Sequence, residues 1–238
     1  MTRSRPGIAR VRYHRRTPTW GTYRDEARTM AELKLTYFDF DGGRGEPVRL
    51  ALNMAGIPFE DERIPGAQWA QHKDRMPLRA MPVLTVDGHA LTQCNTINRY
   101  VGKLAGLYPE DPWQAVLCDE VMDAVEDVSS RVFSTMAIAD EDQKRAAREA
   151  LTDDALKVHL VRLAAYLAER GGEYFADGRL TMADLKVFLF VRHLRSGILD
   201  YIPADLVDRV APSLVAHFER VRDHAGISTY YESRRRAT

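Results

Sequence analysis

The sequence predicts an α/β N-terminal domain over residues 31–110 and an all-α domain over residues 113–238. Three observations predict it. Short runs of β-forming residues alternate with helical patterns as far as Leu104, in the order β-α-β-α-β-β-α. Tyr108-Pro-Glu-Asp-Pro-Trp113 then breaks the pattern as a linker. Every apolar repeat beyond it has helical spacing.

Leu33-Lys-Leu-Thr-Tyr-Phe38 opens the first domain as a short strand. Asp41-Gly-Gly-Arg-Gly45 is a loop, and Pro47 near the start with Gly56-Ile-Pro58 past the end bracket a first helix. Residues 59–64 form a second strand and residues 69–75 a short helix. Val83–Val86, the turn dipeptide Asp87-Gly88 and His89–Leu91 make a hairpin, and residues 95–104 a helix closed by Gly106. The helical crossover makes the first strand pair parallel, whereas the hairpin adds antiparallel strands. In the second domain Leu117, Val121, Ala124, Val125, Val128, Val132 and Met136 mark the inner face of a long helix reaching about residue 139. A second helix covers residues 151–169 and stops at Gly171-Gly172. Thr181-Met-Ala-Asp184 is a capping box with Leu180 and Leu185 as its hydrophobic staple. It opens a helix over Met182–Arg195 that is apolar on nearly all sides at residues 187–191 and therefore central.

The 238 residues, 45% hydrophobic and 29% charged, suffice for a sizeable core and exclude a disordered, collagen-like or coiled-coil chain. Lys plus Arg and Asp plus Glu both total 34, so no net charge draws the protein to nucleic acid or lipid. The longest strongly apolar run, residues 187–191, is far short of a membrane span. Two cysteines, Cys94 and Cys118, are too few for a disulfide framework and suit a reducing compartment, so a cytoplasmic protein is expected. The charge is uneven: residues 1–30 hold eight arginines against Asp25 and Glu26, a surplus of six. That extension is either a disordered arm ahead of a folded unit beginning at Met30, or a presequence for a mitochondrion or plastid.

The seven histidines include no pair at metal-ligand spacing and neither cysteine has a CxxC partner, so no metal is expected. Gly42, Gly43 and Gly45 lie between a strand and a helix, where phosphate loops also sit, but no Lys-Ser/Thr follows. Met81-Pro82 directly precedes a strand. A cis bond there would leave the Met81 N–H and C=O for a peptide-like ligand. Thr92-Gln93-Cys94 falls at a helix N-terminus, whose free N–H groups and positive dipole end suit a carboxylate. Tyr37 ends the first strand with its hydroxyl toward the following loop. Asp119, Asp123, Glu126 and Asp127 share one face of the long helix, as either a solvated stripe or a binding one.

Leu35-Thr-Tyr-Phe38, Gly43-Arg-x-Glu46, Met81-Pro-Val-Leu-x-Val-Asp-Gly88 and Gln93-Cys-Asn-Thr-Ile97 resemble the cytosolic glutathione transferases, most closely the tyrosine-type sigma and pi classes. Asp119-Glu-Val-Met-Asp-Ala-Val-Glu-Asp127 and the box at Thr181 fall where that family has them, and the resemblance covers about residues 31–232. It implies a thioredoxin-like first domain that binds glutathione and a helical second domain carrying the electrophile site. It also implies glutathione as co-substrate with no tightly bound cofactor, a homodimer, no nucleic-acid or membrane partner, and a role in detoxification. Tyr37 matches the tyrosine that stabilises the glutathione thiolate. Gln93 and Cys94 match the pair holding the γ-glutamyl carboxylate, with a thiol where the family usually has serine; Cys94 is then either inert or redox-active beside the ligand. Trp69 and Lys73 match residues at the glycyl end, and Met81-Pro82 the backbone contact. Arg44 matches a loop arginine that pairs with acids of the long helix or of a partner subunit. Asp127 matches a residue that reaches across the dimer to the glutathione amino group. Ala80 replaces a ligand-binding glutamine of pi-class enzymes, and Leu78 replaces the aromatic key that some classes insert into the partner. Phe38, Phe40, Phe133 and Ala137 match or adjoin electrophile-site positions. The reaction implied is transfer of glutathione to an apolar electrophile, with a glutathione-dependent isomerase of the prostaglandin-synthase kind, or a non-catalytic binding protein, as alternatives.

Overall fold

The computed structural model describes residues 31–237; the arginine-rich extension at residues 1–30 lies outside them. The first elements are β1 (Leu33–Phe38), α1 (Glu46–Met54), β2 (Glu60–Ile64), the short α2 (Trp69–His72), β3 (Val83–Val86), β4 (His89–Leu91) and α3 (Cys94–Leu104). The helical part comprises α4 (Pro112–Ser134), α5 (Glu141–Leu151), α6 (Lys157–Glu169), α7 (Met182–Arg195), α8 (Leu206–Val210), α9 (Pro212–Arg222) and α10 (Ala225–Ala237). The sheet order is β2-β1-β3-β4, with β1 and β2 parallel and the other pairs antiparallel, as the crossover and hairpin require. The register sets Tyr37 opposite Arg63 at the end of β1.

Two features of the sequence act locally as expected. Asp184 closes the capping box at Thr181, its Oδ2 accepting the Thr181 N–H at 2.8 Å. Helix α7 is buried without interruption from Met182 to Val191 and packs against α4 and α9. Gly102 of α3 lets that helix approach the start of α7, since a Cβ there would lie 2.6 Å from Met182 Cγ. The sheet lobe and the helical lobe thus share one buried core.

Two helix boundaries differ from the sequence reading. The long helix ends at Ser134, followed by the tight turn Thr135–Ala137, rather than at residue 139. Ser134 and Thr135 there bond back to Arg131 and Val132 carbonyls, and Arg148 Nε donates to Thr135 Oγ1 at 2.9 Å, so hydroxyls take over the helical ladder. The second helix begins ten residues before 151, at Glu141, and runs through one wide turn at Thr152–Leu156. Its first half is too polar to show an apolar stripe, although Asp140 caps it by accepting the Gln143 N–H at 2.8 Å.

Candidate active site

Tyr37 emerges from β1 into the loop before α1 and is 5% exposed. Its hydroxyl accepts the Arg44 N–H at 2.9 Å. Two of the loop glycines, Gly43 and Gly45, make room for this side chain. A Cβ on Gly43, at φ +66°, would lie 2.6 Å from the Tyr37 hydroxyl, and one on Gly45 2.5 Å from the ring. Burial pushes the Tyr37 phenol above its ordinary value, against the Arg44 N–H, so it stays protonated at neutral pH. Arg49, fully buried, fixes the same loop by donating to the Phe38 and Phe40 carbonyls at 3.1 and 2.9 Å while pairing with Asp61 and Glu46.

Beside this loop lies a cleft of about 540 Å³ lined by Arg44, Ala80, Met81, Pro82, Gln93, Cys94 and Glu126, among others. The Met81–Pro82 bond is cis, as expected. Gln93 holds φ at 70° immediately before α3, and no side chain caps the first N–H groups of that helix. They are open to a ligand anion.

The carboxylates of α4 form the seam between the lobes. Asp119 and Asp123 accept from Arg99, and Asp123 also from Asn95 Nδ2 at 2.6 Å. Glu126 accepts from Arg44 Nε at 2.6 Å, from Lys186 Nζ at 2.7 Å and from the Cys94 thiol at 3.0 Å. Burial alone would raise the Glu126 carboxyl, but the Lys186 ammonium, the Cys94 thiol and Arg44 together bring it down to about 2. Burial pushes the Cys94 thiol up to about 11, so at rest it is a protonated donor rather than a nucleophile.

The expected site residues fall into groups. Arg44, Met81, Pro82, Gln93 and Cys94 meet in the cleft. Tyr37, Phe38, Phe40 and Trp69 form an aromatic cluster beside it, with Trp69 edge-on to Phe38 at 5.5 Å. Lys73 is half-buried in the turn after α2 and does not line the cleft. Asp127 is exposed on α4, off the seam that its neighbours form. Phe133 lies under the Arg44 guanidinium at 4.8 Å and beside His193, and Ala137 is exposed in the turn beyond it. The sequence reading missed Lys186, Arg99 and Asn95. Lys186 carried a signal, as the one charged residue in the otherwise apolar stretch from Leu185 to Val191.

Residues 33–103 match the family model of the glutathione S-transferase N-terminal domain, and residues 126–234 that of the C-terminal domain. Glutathione S-transferase 1 of Ascaris suum is 31% identical over 208 residues, covering 86% of this chain and 98% of that relative. The chain belongs to the glutathione S-transferase family and is by class a glutathione transferase enzyme. Among solved structures, the prostaglandin synthase D of Nilaparvata lugens superimposes with a TM-score of 0.76 at 30% identity, over 85% of this chain and 98% of that one. A glutathione S-transferase from Necator americanus, described as monomeric, gives 0.67 at 27% identity, over 85% of this chain and 97% of its own. The thioredoxin-like lobe and helical lobe expected from the resemblance are therefore the family's fold.

Proposed function

We propose that glutathione lies with its γ-glutamyl carboxylate on the start of α3, at Gln93 and Cys94, and its backbone against Met81. Its glycyl end points toward Trp69 and Lys73, and its sulfur sits at the Tyr37 hydroxyl. The thiolate then attacks an apolar electrophile bordered by Phe38, Phe40, Phe133 and Ala137.

One observation carries this reading: the Tyr37 hydroxyl already accepts the Arg44 N–H and keeps its own proton, so its remaining role toward a ligand is to donate. A free thiol near pKa 8.5 is about 3% ionised at pH 7. Donation worth about two pKa units, or about 2.7 kcal/mol, makes it roughly three-quarters thiolate. The test is the ultraviolet thiolate signal of bound glutathione titrated against pH. The bound thiol ionises near pH 6.5 in the intact enzyme, and Tyr37→Phe moves that midpoint up by about one to two units. An unchanged midpoint sinks the role of Tyr37.

The solved relative named as a prostaglandin synthase supports a second reading, isomerisation in which glutathione is regenerated. Consumption of glutathione per turnover separates the two: one equivalent for transfer, none for isomerisation.

The enzyme works as a homodimer in this proposal, with Asp127 of one copy reaching the amino group of glutathione in the other. Asp127 is exposed and off the cleft of its own chain, and Leu78 is 71% exposed beside that cleft, which supports a second copy there. Sedimentation velocity at micromolar concentration gives a dimer of about twice 27.0 kDa. A monomer with full glutathione affinity removes Asp127 from the site.

A further inference from the structure

Lys186, 6% exposed, sits inside the stretch of α7 that is buried without interruption from Met182 to Val191, flanked by Leu185 and Val187. Burying an ammonium is costly unless it is paired, and an apolar side chain would pack there at no such cost. Its Nζ lies 2.7 Å from Glu126 Oε2 and 3.7 Å from Cys94 Sγ. Glu126 is already engaged by Arg44 at 2.6 Å, and the Cys94 thiol is protonated. Two cations therefore share one carboxylate, leaving one positive charge in surplus.

That surplus lies where Cys94 and Glu126 form the wall of the cleft, beside the uncapped, electropositive start of α3. Two positive ends side by side repel each other until an anion joins them. Farther along the same wall, Asp123 shares the cation Arg99 with Asp119, which lies just off the cleft, and the two carboxylates leave a negative surplus there. The cleft is thus polarised as the carboxylate and ammonium of an α-amino acid require.

We propose that Lys186 is a positioning residue for the γ-glutamyl end of glutathione. Its ammonium holds Glu126 and Cys94 in place and supplies the surplus charge that a carboxylate on α3 neutralises. A cation behind position 94 also explains how the site works with a thiol there, the thiol being a weaker donor than a hydroxyl. The inference rests on the proposed placement of glutathione.

The test is calorimetric binding to the full chain, with Lys186→Met and with Lys186→Gln, which keeps a hydrogen bond to Glu126 without the charge. Three probes are used: S-methylglutathione, its glutaryl analogue, which lacks the amine, and its 4-aminobutyryl analogue, which lacks the γ-glutamyl α-carboxylate but keeps the glycyl one. Both variants lose about tenfold in affinity for the two probes that keep the γ-glutamyl α-carboxylate and less than twofold for the 4-aminobutyryl analogue. In turnover the KM for glutathione rises by about the same tenfold while kcat stays within twofold. Equal losses for all three probes, or none, overturn the role of Lys186 while the glutathione site stands. An intact enzyme that binds none of the three overturns the glutathione placement and this inference with it.

Discussion

Gly43 shows how far the site depends on the absence of one carbon. Its φ of +66° is a conformation that side chains rarely adopt, and an added Cβ would press on the Tyr37 hydroxyl at 2.6 Å. Tyr37 cannot retreat, because Gly45 brings the backbone against its ring and Arg49 locks the loop carbonyls around it. Gly43→Ala therefore costs about 1–3 kcal/mol of backbone strain and displaces the hydroxyl from the Arg44 N–H. The expected result is a folded variant in which the bound thiol titrates toward the Tyr37→Phe value, read by the same ultraviolet signal. A variant with reduced stability and an unmoved thiol midpoint would mean that the hydroxyl has room to shift without losing its role.

Among the elements, α7 depends on a single carboxylate. Asp184 accepts from the Thr181 N–H, the Thr181 hydroxyl, the Phe175 N–H and His217 Nε2, all at 2.7–3.0 Å, and both it and His217 are fully buried. An amide offers one acceptor oxygen and turns an NH2 toward some of these donors, so Asp184→Asn costs about 3 kcal/mol or more. Thr181→Ala leaves most of the cluster intact and costs about 1 kcal/mol. Urea midpoints of the two variants rank them in that order, and equal losses would mean that the cap alone matters. This box was legible in the sequence because its signal is local, as were the β1 strand, the Asp87-Gly88 hairpin and the cis Met81–Pro82 bond. Helix α5 was not, because Glu141 to Glu149 is largely charged and an apolar stripe was the signal sought. Of the cleft, the short motifs brought Arg44, Met81, Pro82, Gln93 and Cys94 together in the sequence, because each sits in a local run with its own pattern. The site was not legible where chemistry came from pairing across the chain: Glu126 and Lys186 are 60 residues apart, and neither identity points to the other.

At the scale of the whole molecule, Glu126 joins the lobes. It draws Arg44 and Cys94 from the sheet lobe and Lys186 from the helical lobe onto one carboxylate. Its folded-state pKa of about 2 lies below the ordinary 4.5, so its contribution to stability is fully present above pH 4.5 and is lost as pH falls toward 2. The shift corresponds to on the order of 2 kcal/mol after allowance for its partly exposed side chain. Other groups blur a simple acid-denaturation curve. Asp41 and Glu62 are also held low, whereas burial raises Glu46, whose protonation favours the folded state as pH falls. The difference between the intact enzyme and Glu126→Gln cancels those groups. Measured by urea unfolding, that difference is constant from pH 7 to about 5, shrinks below 4.5 as the native carboxylate is protonated, and nears its minimum around pH 2. A difference that does not vary with pH would show that Glu126 joins the lobes by packing and hydrogen bonding alone. The buried Lys186 charge would then have to be compensated by some other group in the seam.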